Sequence, residues 1–444
     1  MERTEIKNLK DNIDTEVMIS GWVDVRRDHG KLMFLDIRDG GGIVQCVVLP
    51  GSSTETQAIA GKLRPEWVVS IQGKVNKRPE KMVKEGVLNG ELELEVLGIE
   101  VVSEAQELPF EKDTELNLDT YLDNMPLTLR SEKSRAIFKV QSHIIGAFRE
   151  FLTSENFVEF QPPKIVGGDA EGGAGAFHVD YINDQNAFLA TSPQLYKQIM
   201  VGVFEKVFAT GNVFRAEKHS TTRHMLEYTS LDFELGFIKH HHDVMNVLGT
   251  LMRYTNEYLK KNCAEEFKLL NAAYADVPEE IPFMKLREAQ ELIKKETEED
   301  CTKEKDLTPE HERWLSEYAK KEFNSDFIFI THFPIEKTAF YAYEDLEDLG
   351  FTNYFDLLFR GVEVTSGGQR VHDYDTLVER ITKKGLDPEK FSFYLQAFKY
   401  GMPPHGGIGM GLERLTQKFL NLPNIKEATL FPREINRIDT LLSE

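Results

Sequence analysis

The chain has 444 residues, 41% of them hydrophobic and 29% charged, with a formal net charge of -21. That length predicts two or three domains, each with its own core, and the acidic balance excludes a protein that coats nucleic acid through bulk positive charge. Apolar runs such as IVQCVV (43–48) fall far short of the roughly 20 residues of a membrane span, and Cys46, Cys263 and Cys301 are too few and too scattered for a metal-ligand spacing.

The N-terminus has no continuous apolar segment of the signal-peptide kind, which with the sparse cysteines leads us to expect a cytoplasmic protein. The first hundred residues predict five strands: EVMISGWV (16–23), KLMFLDIR (31–38), IVQCVV (43–48), WVVSIQGKV (67–75) and ELELEVLGIEV (91–101). They are short, rich in β-formers and bounded by Gly, Pro or Asp, which fits a small Greek-key barrel. In the second strand Met33, Leu35 and Ile37 share one face, and Phe34 shares the other with Asp36 and Arg38. Phe34 is then either a base-stacking ring on a nucleic-acid face or a ring half-covered by a loop. KVNKRPEKMVK (74–84) is a basic loop in an acidic chain, or a solvated turn.

Residues 103–130 have little periodicity and read as a connector. From Ser131, a predicted N-cap, Ile137, Val140, Ile144, Phe148 and Phe151 recur at helical spacing, and the helix is expected to end near Asn156. FVEFQPPKIV (157–166) is strand-like but broken by Pro162 and Pro163. HHH (240–242) is expected in a solvated loop, because three successive side chains of a regular element do not converge on one ion. Residues 262–325, rich in Lys and Glu, are expected to be exposed helices with no chemistry in them.

Four segments concentrate chemistry. FRAEKHSTTRH (214–224) gathers cations whose planar guanidinium forks suit phosphate and carboxylate oxygens. GIGMGLERL (407–415) puts glycines ahead of a helix with an arginine on its first turns, allowing close backbone approach to a flat or phosphorylated ligand. FDLLFRGVEVTSGGQR (355–370) supplies Asp356, Glu363 and Ser366, oxygen donors for a divalent cation. Asp356 and Glu363 are expected on opposite strand faces unless an irregularity intervenes. EGGAGAF (171–177) and TSPQLYKQ (191–198) could close around a small zwitterion.

On these residues the chain resembles the class II aminoacyl-tRNA synthetases of the aspartyl, asparaginyl and lysyl subgroup, closest to the archaeal and eukaryotic type of aspartyl enzyme. The helix from Ser131 through Pro163 is similar to motif 1, FRAE with RH to motif 2, and GMGLERL to motif 3. The resemblance implies an α+β protein: an OB-fold anticodon-binding barrel over 1–102, a hinge over 103–130, and a catalytic antiparallel sheet flanked by helices over 131–444 that dimerises through motif 1. It implies ATP and magnesium, with L-aspartate and tRNA(Asp) as substrates.

Carried over by motif, Arg215 meets the α-phosphate and the amino acid carboxylate, and Arg223 and His224 meet the outer phosphates. Arg414 clamps the γ-phosphate and adenine, while Glu217, Met225, Tyr228 and Gly411 frame the nucleotide. Glu363 and Ser366 hold magnesium, with Asp356 a further candidate. Lys197 and Arg370 receive the β-carboxylate as a cationic pair that asparagine would leave unmatched, and Glu171 and Gln194 receive the ammonium. Ser366 also lies in the aspartate pocket. Phe34, Gln45, Glu93, Arg26 and His29 become anticodon contacts. RRDHG (26–30) is similar to the bacterial barrel, where a histidine in the place of His29 accompanies reading of tRNA(Asn) as well. Thr191, and Thr338 with Ala339, depart from the family pattern. The competing expectations are an asparaginyl enzyme and a catalytically silent RNA-binding paralogue.

Overall fold

A computed structural model describes residues 1–30, 32–84, 88–111, 114–168, 175–217 and 221–438. The chain forms two compact units, Met1–Glu115 and Leu116–Glu444.

In the first unit, β1 (Glu16–Asp28), β2 (Met33–Arg38), β3 (Ile43–Val48), α1 (Thr54–Lys62), β4 (Val68–Lys77) and β5 (Leu92–Ser103) follow in order. The strands close a barrel in the order β1-β2-β3-β5-β4. Two-residue alternation sends Val17, Ile19, Leu35, Ile37, Ile71 and Leu94 into its core. Helix α1, not foreseen as an element, starts where Ser53 Oγ accepts from the Thr56 amide at 3.1 Å.

The second unit begins with α2 (Leu118–Asp123) and α3 (Met125–Thr128), so part of the expected connector is helical. Helix α4 (Glu132–Ser154) follows, and the Ser131 hydroxyl accepts from the Ser134 amide at 3.3 Å. The predicted apolar stripe from Ile137 to Phe151 lies in the main core. The proline-broken segment yields two short strands, β6 (Val158–Glu159) and β7 (Ile165–Val166). Then come β8 (His178–Asp180), β9 (Asn186–Leu189), α5 (Gln194–Phe204), β10 (Lys206–Phe214), β11 (Glu227–Gly236), α6 (His241–Asn262) and α7 (Ala264–Leu269). They are followed by β12 (Phe283–Lys285), α8 (Leu286–Thr297), α9 (Pro309–Phe323), β13 (Phe327–Pro334), β14 (Phe351–Phe359) and β15 (Val362–Arg370). Last are α10 (Tyr374–Lys383), α11 (Ser392–Lys399), β16 (His405–Gly411) and α12 (Leu412–Phe419). An eight-stranded sheet in the order β12-β13-β14-β15-β16-β11-β10-β6 is the backbone of this unit; all its pairings are antiparallel except β12–β13 and β10–β6.

Two expectations are corrected. Residues 262–325 are not a set of exposed helices set apart from the site: β12 extends the sheet, and α8 and α9 bury Leu286, Ala289, Ile293, Leu315 and Ala319 against Ile328, Ile330, Phe333 and Leu358. Their Lys and Glu are the solvent face of amphipathic helices, and composition alone hid the apolar stripe at i, i+3, i+7. The HHH run is not a solvated loop either. His240 caps α6 and His241 is fully buried, its ring 5.3 Å from that of His332. The rings of His240 and His242 are stacked at 15° and those of His241 and His242 at 25°. The ligand nitrogens of His240, His241 and His242 all lie within 4.8 Å of one another, so three successive residues do come together here, contrary to the expectation from a regular element.

Candidate active site

Two neighbouring strands explain the site. On β11, Asp232 and Glu234 alternate with Leu231, Phe233 and Leu235, so the period of two puts both carboxylates on one face and the apolar residues in the core. Directly opposite on β16 stand Gly409 and Gly407, paired with Asp232 and Glu234 respectively. A Cβ on Gly407 would overlap the Phe233 carbonyl and the Glu234 carboxylate. These two glycines therefore clear room for buried acids, whereas Gly411, at the cap of α12, borders the cavity.

The acids are paired. Lys197, on α5, donates to Asp232 Oδ1 at 2.9 Å and to the Ile408 carbonyl at 2.7 Å, with Glu234 Oε2 at 3.5 Å. Arg370 Nε donates to Glu234 Oε1 at 2.9 Å, and its terminal nitrogen to the Gly407 carbonyl at 2.9 Å. Burial would raise the Glu234 carboxyl, but Arg370 and Lys197 beside it hold it below the usual range. The charge argument from sequence is corrected here, because the expected unmatched cations are already neutralised by Asp232 and Glu234. Arg370 and Asp232 border the cavity; Lys197 is not among its lining residues and lies buried behind them.

Arg215, Glu217, Arg223, His224, Met225, Tyr228, Glu363, Ser366, Arg414 and Gln194 line the same cavity. The Arg215 guanidinium lies 5.8 Å from the centre of the Tyr228 ring. His224 Nδ1 is 2.7 Å from Thr221 Oγ1, and burial followed by the positive charge of Arg414 holds its pKa below the ordinary value. The Gln194 side-chain nitrogen is buried without a hydrogen-bond partner among the described residues. Arg370 pairs with His405 at the start of β16, while Arg414 lies one turn past Gly411 at its end. At about 3.3 Å per residue the strand separates the two arginines' anchors by roughly 20 Å, the span of a nucleotide and a small acid laid end to end.

The register of β14 and β15 shifts between Leu357 and Leu358, so Asp356 opposes Ser366 while Leu358 opposes Glu363. This bulge supplies the irregularity that the sequence could not place, and it brings Asp356, Glu363 and Ser366 to one face. Ser366 Oγ donates to Glu363 Oε1 at 2.7 Å. Burial and the charge of Glu363 push the Asp356 carboxyl well above the usual range, and its Oδ1 is buried without a hydrogen-bond partner among the described residues. Two crowded carboxylates with an unused oxygen fit a divalent cation.

Four acids escaped the sequence reading: Asp232, Glu234, Glu312 and Glu413. The first two had a signal, charges alternating in an apolar strand. Glu312, on α9, had none, because its contacts lie 51 and 89 positions away in the chain. Both carboxylate oxygens of Glu413 accept from the Thr229 amide at 3.0 Å, and burial raises its pKa to about 7. Glu171 falls outside the described residues, as do positions 218–220 of the FRAE segment.

In the barrel, Phe34 is half-buried and His29 exposed, their rings edge to face at 5.8 Å. Gln45 opposes Asp36 and Glu93 opposes Asn76, all partly exposed. A register shift between Val23 and Val25 precedes Arg26, which donates to the Gly61 carbonyl. No helix among the described residues is long and apolar enough to cross a membrane.

A largely antiparallel sheet carrying arginines and carboxylates into one cavity, in the same chain as a five-stranded barrel, defines the core of a class II synthetase. The family described as class II tRNA synthetases (D, K and N) matches residues 117–435, an OB-fold nucleic-acid-binding family matches residues 17–102, and the chain belongs to the class II tRNA synthetases of the D, K and N group. It is 42% identical to the aspartate–tRNA(Asp/Asn) ligase of Thermus thermophilus over 98% of this chain and 99% of that one. It is 39% identical to the aspartate–tRNA(Asp) ligase of Pyrococcus furiosus over 95% of each. The asparaginyl-tRNA synthetase of Pyrococcus horikoshii complexed with asparaginyl-adenylate superposes with a TM-score of 0.91 at 32% identity, covering 99% of both chains.

Proposed function

We propose that the chain activates L-aspartate with ATP and transfers it to tRNA(Asp). The observation that carries this reading is the single cavity lined by Arg370, Gln194, Asp232, Arg215, Arg223 and Arg414, with Arg370 beside the start of β16 and Arg414 past its end. The aspartate α-carboxylate attacks the α-phosphorus in line and pyrophosphate leaves; the terminal ribose hydroxyl of the tRNA then attacks the mixed anhydride carbonyl and AMP leaves. Arg215 offsets the charge that builds between carboxylate and phosphate, and Arg223 and Arg414 hold the departing phosphates. Glu363 and Ser366, with Asp356, hold magnesium, which supplies charge neutralisation to the phosphates. His224, kept neutral at pH 7, adds a hydrogen bond without adding charge. The reaction needs positioning and electrostatics, not a covalent nucleophile. Glu171 takes the substrate ammonium in this reading, and two copies associate through α4.

Aspartate is favoured over asparagine by the names of the relatives at 42% and 39% identity, although the asparaginyl enzyme shares the fold at 32%. The presence of Arg215, Glu363 and Arg414 around one cavity argues against a silent paralogue. A second reading, charging of tRNA(Asn) too, is favoured by exposed His29 beside Phe34 and by the Asp/Asn name of the Thermus relative. Aminoacylation with labelled aspartate or asparagine on purified tRNA(Asp) and tRNA(Asn) tests both. Aspartate is expected on tRNA(Asp), and on tRNA(Asn) if the second reading holds, while Arg370→Ala lowers kcat/KM for aspartate by roughly 100-fold. Asparagine as the charged amino acid would overturn the assignment.

A further inference from the structure

Glu312 belongs to a segment that carries no synthetase motif, yet its carboxylate is buried among three parts of the site. Its Oε2 accepts from Arg223 Nη1 at 3.0 Å and from the backbone N–H of Glu363 at 3.2 Å. Arg414 closes the same circuit from the other side, donating to the Glu363 carbonyl at 2.7 Å and to the Arg223 carbonyl at 3.2 Å. Glu363 is thus pinned at both its N–H and its C=O, and Arg223 at both its side chain and its carbonyl. Glu363, paired with Leu358, sits beside the β14–β15 register shift that skips Val364, and Glu312 takes its N–H at the edge of that bulge. Thr308 caps α9, its hydroxyl accepting from the His311 amide at 3.3 Å, and fixes the first turn that presents Glu312.

We infer that Glu312 is a positioning residue for the nucleotide half of the reaction: it holds Arg223 in place for the outer phosphates and holds the Glu363 bulge in place for the cation. The inference rests on the adenylate-forming reading above. Glu312 touches neither reacting centre; it acts through Arg223, whose charge it orients, and through Glu363, whose strand it anchors.

The test is aspartate-dependent ATP–pyrophosphate exchange by the full chain, with KM for ATP, KM for aspartate and the magnesium dependence measured for the parent, Glu312→Ala and Glu312→Gln. Glu312→Ala is expected to raise KM for ATP roughly 10- to 100-fold, the loss of one charge-assisted hydrogen bond, and to raise the magnesium concentration at half-maximal rate. KM for aspartate is expected to stay within about 2-fold, because Arg370 and Gln194 are untouched. Glu312→Gln keeps an acceptor for the Glu363 N–H and removes the charge facing Arg223, so it restores the magnesium dependence while KM for ATP stays high. Equal shifts in both KM values, or parent values for ATP and magnesium in both variants, would overturn the inference. No exchange by the parent chain would instead overturn the adenylate-forming reading, and equilibrium binding of magnesium–ATP to the same three proteins would then decide the role of Glu312 by itself.

Discussion

Glu413 and Lys197 are buried ionisable groups with opposite solutions. The Glu413 carboxyl has its pKa raised to about 7 by burial, from an ordinary 4.5. Its folded pKa therefore lies above its unfolded one, the native state binds the proton more tightly, and stability falls as pH rises from about 4.5 to about 7. Glu413→Gln, which keeps an acceptor for the Thr229 amide, should flatten that fall by up to about 3 kcal/mol, read from urea unfolding at the two ends of the window. An unchanged slope would show that Glu413 is not the titrating group. Lys197 Nζ lies 2.9 Å from Asp232 and 3.5 Å from Glu234, both buried, so Lys197→Met keeps its volume but takes the cation away from Asp232, while Glu234 keeps Arg370. The expected loss is about 3–5 kcal/mol, read from the unfolding midpoint, and a midpoint at the parent value would contradict the pairing.

The elements of the site are built from pairings that no single stretch of chain contains. The glycines of β16 illustrate this: from their spacing alone they belong to a ligand-approach turn, while the β11 register makes Gly407 the space into which Glu234 fits. Gly407→Ala should accordingly destabilise the fold by several kcal/mol or prevent folding. A Cβ on Gly411 would meet nothing nearer than Arg414 Cβ and the Tyr228 ring at 3.8 Å. Gly411→Ala should fold normally and raise KM for ATP by narrowing the cavity. If the two variants behaved alike in unfolding, the distinction between accommodating an acid and bordering a ligand would fail. Helix α4 was legible because its apolar stripe is local and periodic; the bulge at Leu357/Leu358 was not, because a register is a property of two strands.

At the scale of the molecule, the barrel and the catalytic unit have separate cores, so a change on the barrel face should affect only steps that involve tRNA. Phe34→Ala is expected to lower kcat/KM for tRNA by about 1–3 kcal/mol of lost stacking and to leave ATP–pyrophosphate exchange at the parent rate. Impaired exchange would show that Phe34 serves the fold, not the RNA.

Local periodicity determined by itself the five barrel strands and the α4 stripe, because strand alternation and helical period are written along the chain, while the gathering of Arg215, Arg223, Glu363 and Arg414 was implied by the resemblance of their motifs to the class II synthetases. Only the tertiary structure decided that Asp232 and Glu234 neutralise Lys197 and Arg370, that a bulge unites Asp356 with Glu363, that His241 is buried, and that Glu312 reaches Arg223. These are pairings across strands and helices far apart in sequence, and the free energy of a buried charge depends on which partner meets it there.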